Sequence, residues 1–465
     1  MNAKRLFMLA CLPLFMSPAI RAGVLEEHYG KWMGTLAIPH GPVIKTGIEL
    51  FPRADGSPGA SFASPDQTPI AVPVERVQTV NGEIRLSISS VGIDLALRPD
   101  GDDLVGQAQQ GPMVVPLRLA HVASFGEPVR PQTPQAPFPY DVQTLVVNTP
   151  DGTRLSGTLT HARGATRATA VVLLQGSGPI DRDEYIGGHH LFALLADYLT
   201  RRGITVYRFD KRGVGRSTGS YTSETSATLL ADALAATRAI RARADVSRVG
   251  VIGHSEGAAT AAELAARYPS DVDFLVSLAG PGLKGIDEIE LQDRIGYERK
   301  GLSPSQVQML TNYGRRFYAT VVSIDDVEAR TKTLVGLSSN LNEADRQLVL
   351  QYASTGTLSI GLARTPHLRE VLTMDFPQYW RSVHCPVLVL NGSLDVQVPA
   401  PQNPDAIRAA LTAGGNRRAQ VETLTRLNHL FQTATTGLAD EYTRIDETMA
   451  PAALEAVARF VVAGR

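Results

Sequence analysis

Apolar and polar positions change rhythm along this chain. Between residues 24 and 123 they alternate. Ile84-Arg85-Leu86-Ser87-Ile88, Ile93-Asp94-Leu95-Ala96-Leu97 and Val115-Pro116-Leu117-Arg118-Leu119 put an apolar side chain at every second place. Period-two runs are strands with one face buried. The dipeptides Asp55-Gly56, Asn81-Gly82 and Asp100-Gly101 between such runs are hairpin signals, because these residues tolerate positive φ. Residues 24–123 are therefore expected to form a small antiparallel β-barrel or sandwich. Pro128, Pro131, Pro134, Pro137 and Pro139 then crowd one segment, so 124–139 reads as an extended, semi-rigid linker.

From residue 140 strand patterns alternate with helix patterns. Strands are expected at 142–148, 155–160, 168–175, 204–210, 248–253, 274–279, 386–391 and 419–424. Helical runs lie at 191–201, 227–243 and 258–268. Val171-Val172-Leu173-Leu174 and Val387-Leu388-Val389-Leu390 have no polar face, as suits strands covered on both sides. The pattern predicts an α/β domain around a mostly parallel eight-stranded sheet, built from 140–282 and 384–465. Residues 283–383 contain no good strand. Ser303-Pro304 and Thr365-Pro366 are helix starts there, with a capping hydroxyl before a proline at the first helical position. A helical insertion, placed as a lid, is the expectation.

Composition narrows the class. The 465 residues carry 45 Lys+Arg against 46 Asp+Glu, a net charge of −1, and no basic run exceeds two residues. That argues against a nucleic-acid partner. Lys4 and Arg5 precede an apolar stretch over 6–20, with small Ala19 and Ala22 beyond it. This is the form of a secretory signal over 1–22. The stretch is too short to span a bilayer and is interrupted by Pro13 and Pro18. An exported protein, periplasmic or secreted, without stable membrane insertion is expected. Of the two cysteines, Cys11 falls inside the signal. Cys385 is left alone and buried by default, so core burial rather than a disulfide must hold the fold.

Candidate chemistry gathers at Gly253-His254-Ser255-Glu256-Gly257, between an expected strand and an alanine-rich helix. A nucleophile elbow needs a sharp turn there, and flanking glycines permit the close backbone approach. Ser255 would be the nucleophile. The amide of Glu256, first in the helix, could stabilise an oxyanion. A serine needs a base. In this strand-turn-helix architecture the partners follow in the order Ser, Asp/Glu, His. Of the ten histidines only His429 lies beyond the strand at 386–391. Asp395, just past that strand, is the candidate acid that orients it, with Asp405 the nearest substitute. Gln175-Gly176-Ser177-Gly178-Pro179 should supply a second oxyanion amide, from Ser177 or Gly176.

Other features read as structural. His189-His190 suits a solvent-facing helix start, since no ligand cluster at metal spacing lies nearby. The glycine-rich run 210–217 lacks the Gly-Lys-Ser/Thr ending of a phosphate loop and reads as a turn after the fourth strand. Tyr313, Phe317, Tyr318, Phe376 and Trp380 are the lid aromatics available to an acyl chain.

The stretches 175–179 with Asp181-Arg182-Asp183, 210–217, 253–257, 391–399 and 428–432 resemble the α/β-hydrolase superfamily. Within it they are similar to exported bacterial carboxylesterases related to the serine aminopeptidase-like group. That branch commonly reads Gly-His-Ser-Glu-Gly-Gly, whereas this chain has Ala258 in the last place. Members often carry an N-terminal β-domain like 24–123. The resemblance implies a triad of Ser255, Asp395 and His429 and hydrolysis of a small-molecule carboxylic ester. It requires no cofactor and no metal. A serine aminopeptidase or amidase using the same triad is the alternative.

Overall fold

The structure, a computed structural model, describes residues 24–463 except 39–41, 66–70, 127, 165–166 and 354–355. The expected signal over 1–22, with Cys11, lies outside the described residues. Among those described, no helix is long and apolar enough to cross a membrane.

The alternating N-terminal segment forms one nine-stranded antiparallel sheet, not two packed layers. Its first strand, Gly30–Ala37, pairs with both the second and the last, so Trp32 faces Ile48 on one side and His121 on the other. The edges, Val72–Pro73 and Arg76–Val80, are consecutive in the chain. The amide of Val74 reaches Ala60 O at 3.0 Å and that of Glu75 reaches Ser87 O at 3.1 Å. The sheet thus curls into a partly closed barrel. Inside it sit Ile84, Leu86, Ile88, Leu95 and Leu97, the inward positions of the alternating runs. The Asn81-Gly82 turn has φ of 52° and 77°, which is why that dipeptide occurs there.

The second domain is a mixed sheet of eight strands: β1 Asp141–Asn148, β2 Arg154–His161, β3 Ala168–Leu174, β4 Thr205–Phe209, β5 Val246–His254, β6 Phe274–Leu278, β7 Val387–Gly392 and β8 Ala419–Leu424. They lie in the order β1-β2-β4-β3-β5-β6-β7-β8, antiparallel at β1 and β2 and parallel thereafter. Helices α1 (Leu191–Thr200), α2 (Ser226–Arg241) and α3 (Glu256–Arg267) cover it. Successive β3 residues serve opposite faces. Val172 and Leu174 join the α2–α3 side, Val171 and Leu173 the α1 side, which is why the run is apolar throughout. Each such side chain, fully buried, stabilises by about 1.5–3 kcal/mol.

The insertion is helical: α4 Gly285–Arg299, α5 Pro304–Ser323, α6 Val327–Ser339, α7 Glu343–Tyr352, α8 Ile360–Ala363, α9 Pro366–Thr373 and α10 Phe376–Arg381. Both Ser-Pro and Thr-Pro steps begin helices, and Ser303 forms a capping box with Gln306. Tyr313, Phe317 and Tyr318 pack into a core internal to the insertion. Trp380 is instead fully buried in the core of the α/β domain, its Nε1 donating to Pro281 O at 2.9 Å. Of the five aromatics only Phe376 lines the pocket described below.

The β-domain docks on the glycine-rich turn after β4. Ala54 N donates to Arg216 O at 2.7 Å, and Arg53 Nη1 to Ser217 O at 2.8 Å. The linker is pinned by buried Arg130, whose Nη2 donates to Thr443 O at 2.6 Å. The expectation for His189 fails. It is fully buried, with Nδ1 at 2.9 Å from Thr448 Oγ1 and Nε2 at 2.9 Å from Tyr442 O. A short hairpin, Tyr185–Ile186 with His189–His190, carries it under the C-terminal segment, a contact no local pattern announces.

Candidate active site

Ser255 joins β5 to α3 with φ 54° and ψ −121°. A serine at positive φ is strained by about 1–3 kcal/mol, and the surroundings must hold it there. Both flanking glycines are needed for that. A Cβ at Gly253 would overlap the Gly257 carbonyl, and one at Gly257 the Leu174 carbonyl of β3. Ser255 N is tied to Leu278 O of β6 at 2.8 Å. Ala258, where the resembling branch has glycine, is accommodated by Gly280, at which a Cβ would come within 2.6 Å of the Ala258 methyl.

His429 and Asp395 meet at the same end of the sheet. His429 Nδ1 stands 2.9 Å from Asp395 Oδ2, and both side chains are buried. Asp395 Oδ1 accepts the amides of Gln397 at 2.8 Å and Val398 at 2.9 Å, which fixes the carboxylate. The His429 loop is held from within. Asn428 Oδ1 accepts the amides of Leu430 at 3.0 Å and Gln432 at 2.9 Å, and Asn428 Nδ2 donates to Gln432 Oε1 at 2.9 Å. Asp405, the substitute acid, is instead exposed on a helix and paired with Arg408.

The two oxyanion candidates separate. The amide of Gly176 donates to Glu184 Oε1 at 2.8 Å and is therefore engaged away from the pocket, which corrects that choice. Ser177 borders the pocket, and its hydroxyl lies on the Glu256 side and helps hold that carboxyl ionised. The Glu256 amide, in the first turn of α3, has no intrahelical acceptor.

A pocket with a cavity volume of about 90 Å³ opens over Ser255. The elbow side contributes Ser177, Glu256 and Thr260, and the lid contributes Glu288, Ile289, Met374 and Phe376. Its charges are mostly acidic. Glu256 is held by Lys211 at 3.2 Å and by His367 of lid helix α9 at 3.2 Å. Burial opposes its ionisation, but Lys211, His367 and the Ser177 hydroxyl keep the carboxyl below its ordinary range. Lys211 also faces buried Glu224 at 3.7 Å. Burial works against that ammonium, yet the two carboxylates hold it above the usual lysine value. Glu288 is only 4% exposed, and neither of its oxygens makes a hydrogen bond of normal geometry. The nearby Asn403 amide, engaged with Pro399 O, gives it a weak polar contact only. Burial pushes the Glu288 carboxyl up to about 8.

Sequence reasoning did not single out Glu184, Lys211, Glu288 or His367 for the site. Lys211 sits in the noted run 210–217. The other three come from segments with no motif, and only the fold brings them near Ser255. Asp181-Arg182-Asp183 acts in support. Arg182 makes a two-pronged contact with Asp210 at 2.9 and 2.6 Å, and Asp183 pairs with Arg208 at 2.6 Å.

The signature of the family described as serine aminopeptidase, S33 matches residues 187–432. The esterase EstD of Thermotoga maritima is 38% identical over 143 residues, which is 31% of this chain and 34% of EstD. The chain thus spans about a third of the length of that relative. Among solved structures, an esterase of Pyrococcus furiosus is 18% identical over 62% of this chain and 82% of its own, with a TM-score of 0.37. The ferulic-acid complex of Est1E from Butyrivibrio proteoclasticus is 16% identical over 69% and 98%, with a TM-score of 0.42. With the family signature running from the turn of the hairpin before α1 to the end of the His429 loop, the chain belongs to the serine aminopeptidase S33 family of α/β-hydrolases.

Proposed function

We propose that the protein hydrolyses small carboxylic esters through Ser255, His429 and Asp395. One observation carries this reading: a strained serine at an elbow lines a pocket, and at the same end of the sheet stands a buried, aligned His–Asp pair whose carboxylate accepts the amides of the pocket residues Gln397 and Val398. The 38% identity to the esterase EstD over 143 residues supports it. Ser255 Oγ attacks the acyl carbonyl while His429 takes its proton, and Asp395 holds the imidazole tautomer. The amides of Glu256 and Ser177 receive the oxyanion. His429 returns the proton to the leaving alcohol, and water then releases the acid from the acyl-enzyme. The apolar lid residues Ile289, Met374 and Phe376 seat the acyl group.

Turnover of p-nitrophenyl acyl esters checks this. Ser255→Ala should lower kcat by at least about 10³-fold, and equal rates in the two proteins would refute it. A second reading, aminopeptidase or amidase action, is favoured by Glu288. A buried carboxyl lacking a firm partner, beside the pocket, suits a substrate ammonium. Aminoacyl p-nitroanilides cleaved faster than esters would favour that reading. We further infer export of the mature chain, from the charged and apolar pattern of 1–22.

A further inference from the structure

The elbow histidine is engaged on both ring nitrogens by acceptors. His254 is 1% exposed, its Nδ1 lies 2.8 Å from Glu184 Oε1, and its Nε2 lies 3.0 Å from the carbonyl oxygen of His429. A backbone carbonyl only accepts, so Nε2 must carry a hydrogen. Glu184 is fully buried, and the same Oε1 accepts the Gly176 amide at 2.8 Å. One proton remains to be assigned between Glu184 and Nδ1. A free imidazole holds a proton about two pKa units more tightly than a free glutamate.

We propose that His254 and Glu184 form a buried imidazolium–carboxylate pair that positions the catalytic groups. The proposal rests on the ester-hydrolase reading for its effect on rate, but not for its charge state. Three parts of the site converge on the pair. The elbow supplies His254 itself. The loop after β3 supplies Gly176, at which a Cβ would lie only 3.3–3.4 Å from Glu184 Oε1, His254 Nδ1 and Ser255 Cβ. The His429 loop supplies its carbonyl, and the rings of His254 and His429 are 4.7 Å apart. The Glu184 carboxylate turns the Gly176 amide out of the pocket, which leaves the next amide, that of Ser177, to face the substrate. The Nε2 proton holds the His429 backbone while the His429 ring remains free to exchange protons. Both act through other residues, so Glu184 and His254 are positioning residues.

The charged groups that bear on His254 are Glu184 and Asp395, both of which favour its protonated form against burial. Histidine ¹⁵N spectra of the whole protein at pH 8 test the charge directly. An ordinary histidine is neutral there. We expect one histidine with both ring nitrogens protonated, and its loss in Glu184→Gln, whose amide keeps the shape of the side chain but not its charge. Kinetics test the positioning. Glu184→Gln should lower kcat for p-nitrophenyl esters roughly tenfold to a hundredfold, with KM within about twofold. Absence of any doubly protonated histidine in the wild-type spectrum overturns the ion pair. A kcat for Glu184→Gln within twofold of wild type overturns the positioning role. If Ser255 reacts with no ester and no fluorophosphonate, the hydrolase reading falls, and the nitrogen shifts still decide the ion pair.

Discussion

At the scale of single residues, the site places groups where their chemistry costs stability. Ser255 holds a backbone conformation that its neighbours must enforce. Glu288 is buried without a firm partner. Its carboxyl is pushed up to about 8 in the folded chain, against about 4.3 in an unfolded one. The folded state then holds the proton more tightly, so the penalty from Glu288 is absent below about pH 4 and grows as pH rises toward 8. Glu288→Met should therefore stabilise the protein by about 1–3 kcal/mol at pH 8 and by little at pH 4. Urea unfolding at the two pH values measures this, and an equal gain at both would rule out a titrating carboxyl. The elbow was legible at this scale. Gly253, Ser255 and Gly257 form a pattern that only a sharp turn with close backbone approach requires. Glu288 was not legible, since an acid on a helix reads as a solvated position until the helix is packed over a pocket.

At the scale of elements, local rules account for most boundaries. Alternation produced the barrel strands, and unbroken apolar runs produced β3 and β7. Ser303 starts α5, accepting the Gln306 amide while Gln306 accepts the Ser303 amide at 2.9 Å. Ser303→Ala should cost about 0.5–2 kcal/mol, read as a lower thermal midpoint, and an unchanged midpoint would mean the cap is energetically idle. Failures at this scale share one cause. His189 and the lid aromatics were judged by their own segments, whereas burial depends on what packs above them. His189 lies under residues 442–448 of the C-terminal segment. Trp380 belongs to the hydrolase core although its helix lies in the insertion.

At the scale of the whole molecule, the β-domain, hydrolase core and lid have separate cores joined by specific polar contacts. The β-domain grips the turn after β4, and that turn also carries Lys211, which holds Glu256 at the pocket. The lid reaches the same carboxylate through His367. Glu256 is therefore the point where core and lid meet beside Ser255. The proposed export is also tested at this scale. The mature protein recovered from the periplasm or medium should have an N-terminus near Gly23, and N-terminal sequencing that finds Met1 on the active protein would refute processing.

The sequence alone determined what depends on short-range physics. Side-chain period set strand or helix, glycine and proline set the turns, and the order Ser255, Asp395, His429 along alternating strands set the candidate triad. It also singled out the loop after β3, because small residues allow an amide to turn inward. The tertiary structure alone removed one of its two candidate amides. Gly176 is claimed by Glu184, and Glu184 reaches it only because the β5 elbow, with His254, lies beside that loop. Long-range packing likewise decided that Glu288 lines the pocket and that Lys211 and His367 hold Glu256 there. A charge's partner and its exposure are set by distance in space, and the pattern along the chain records neither.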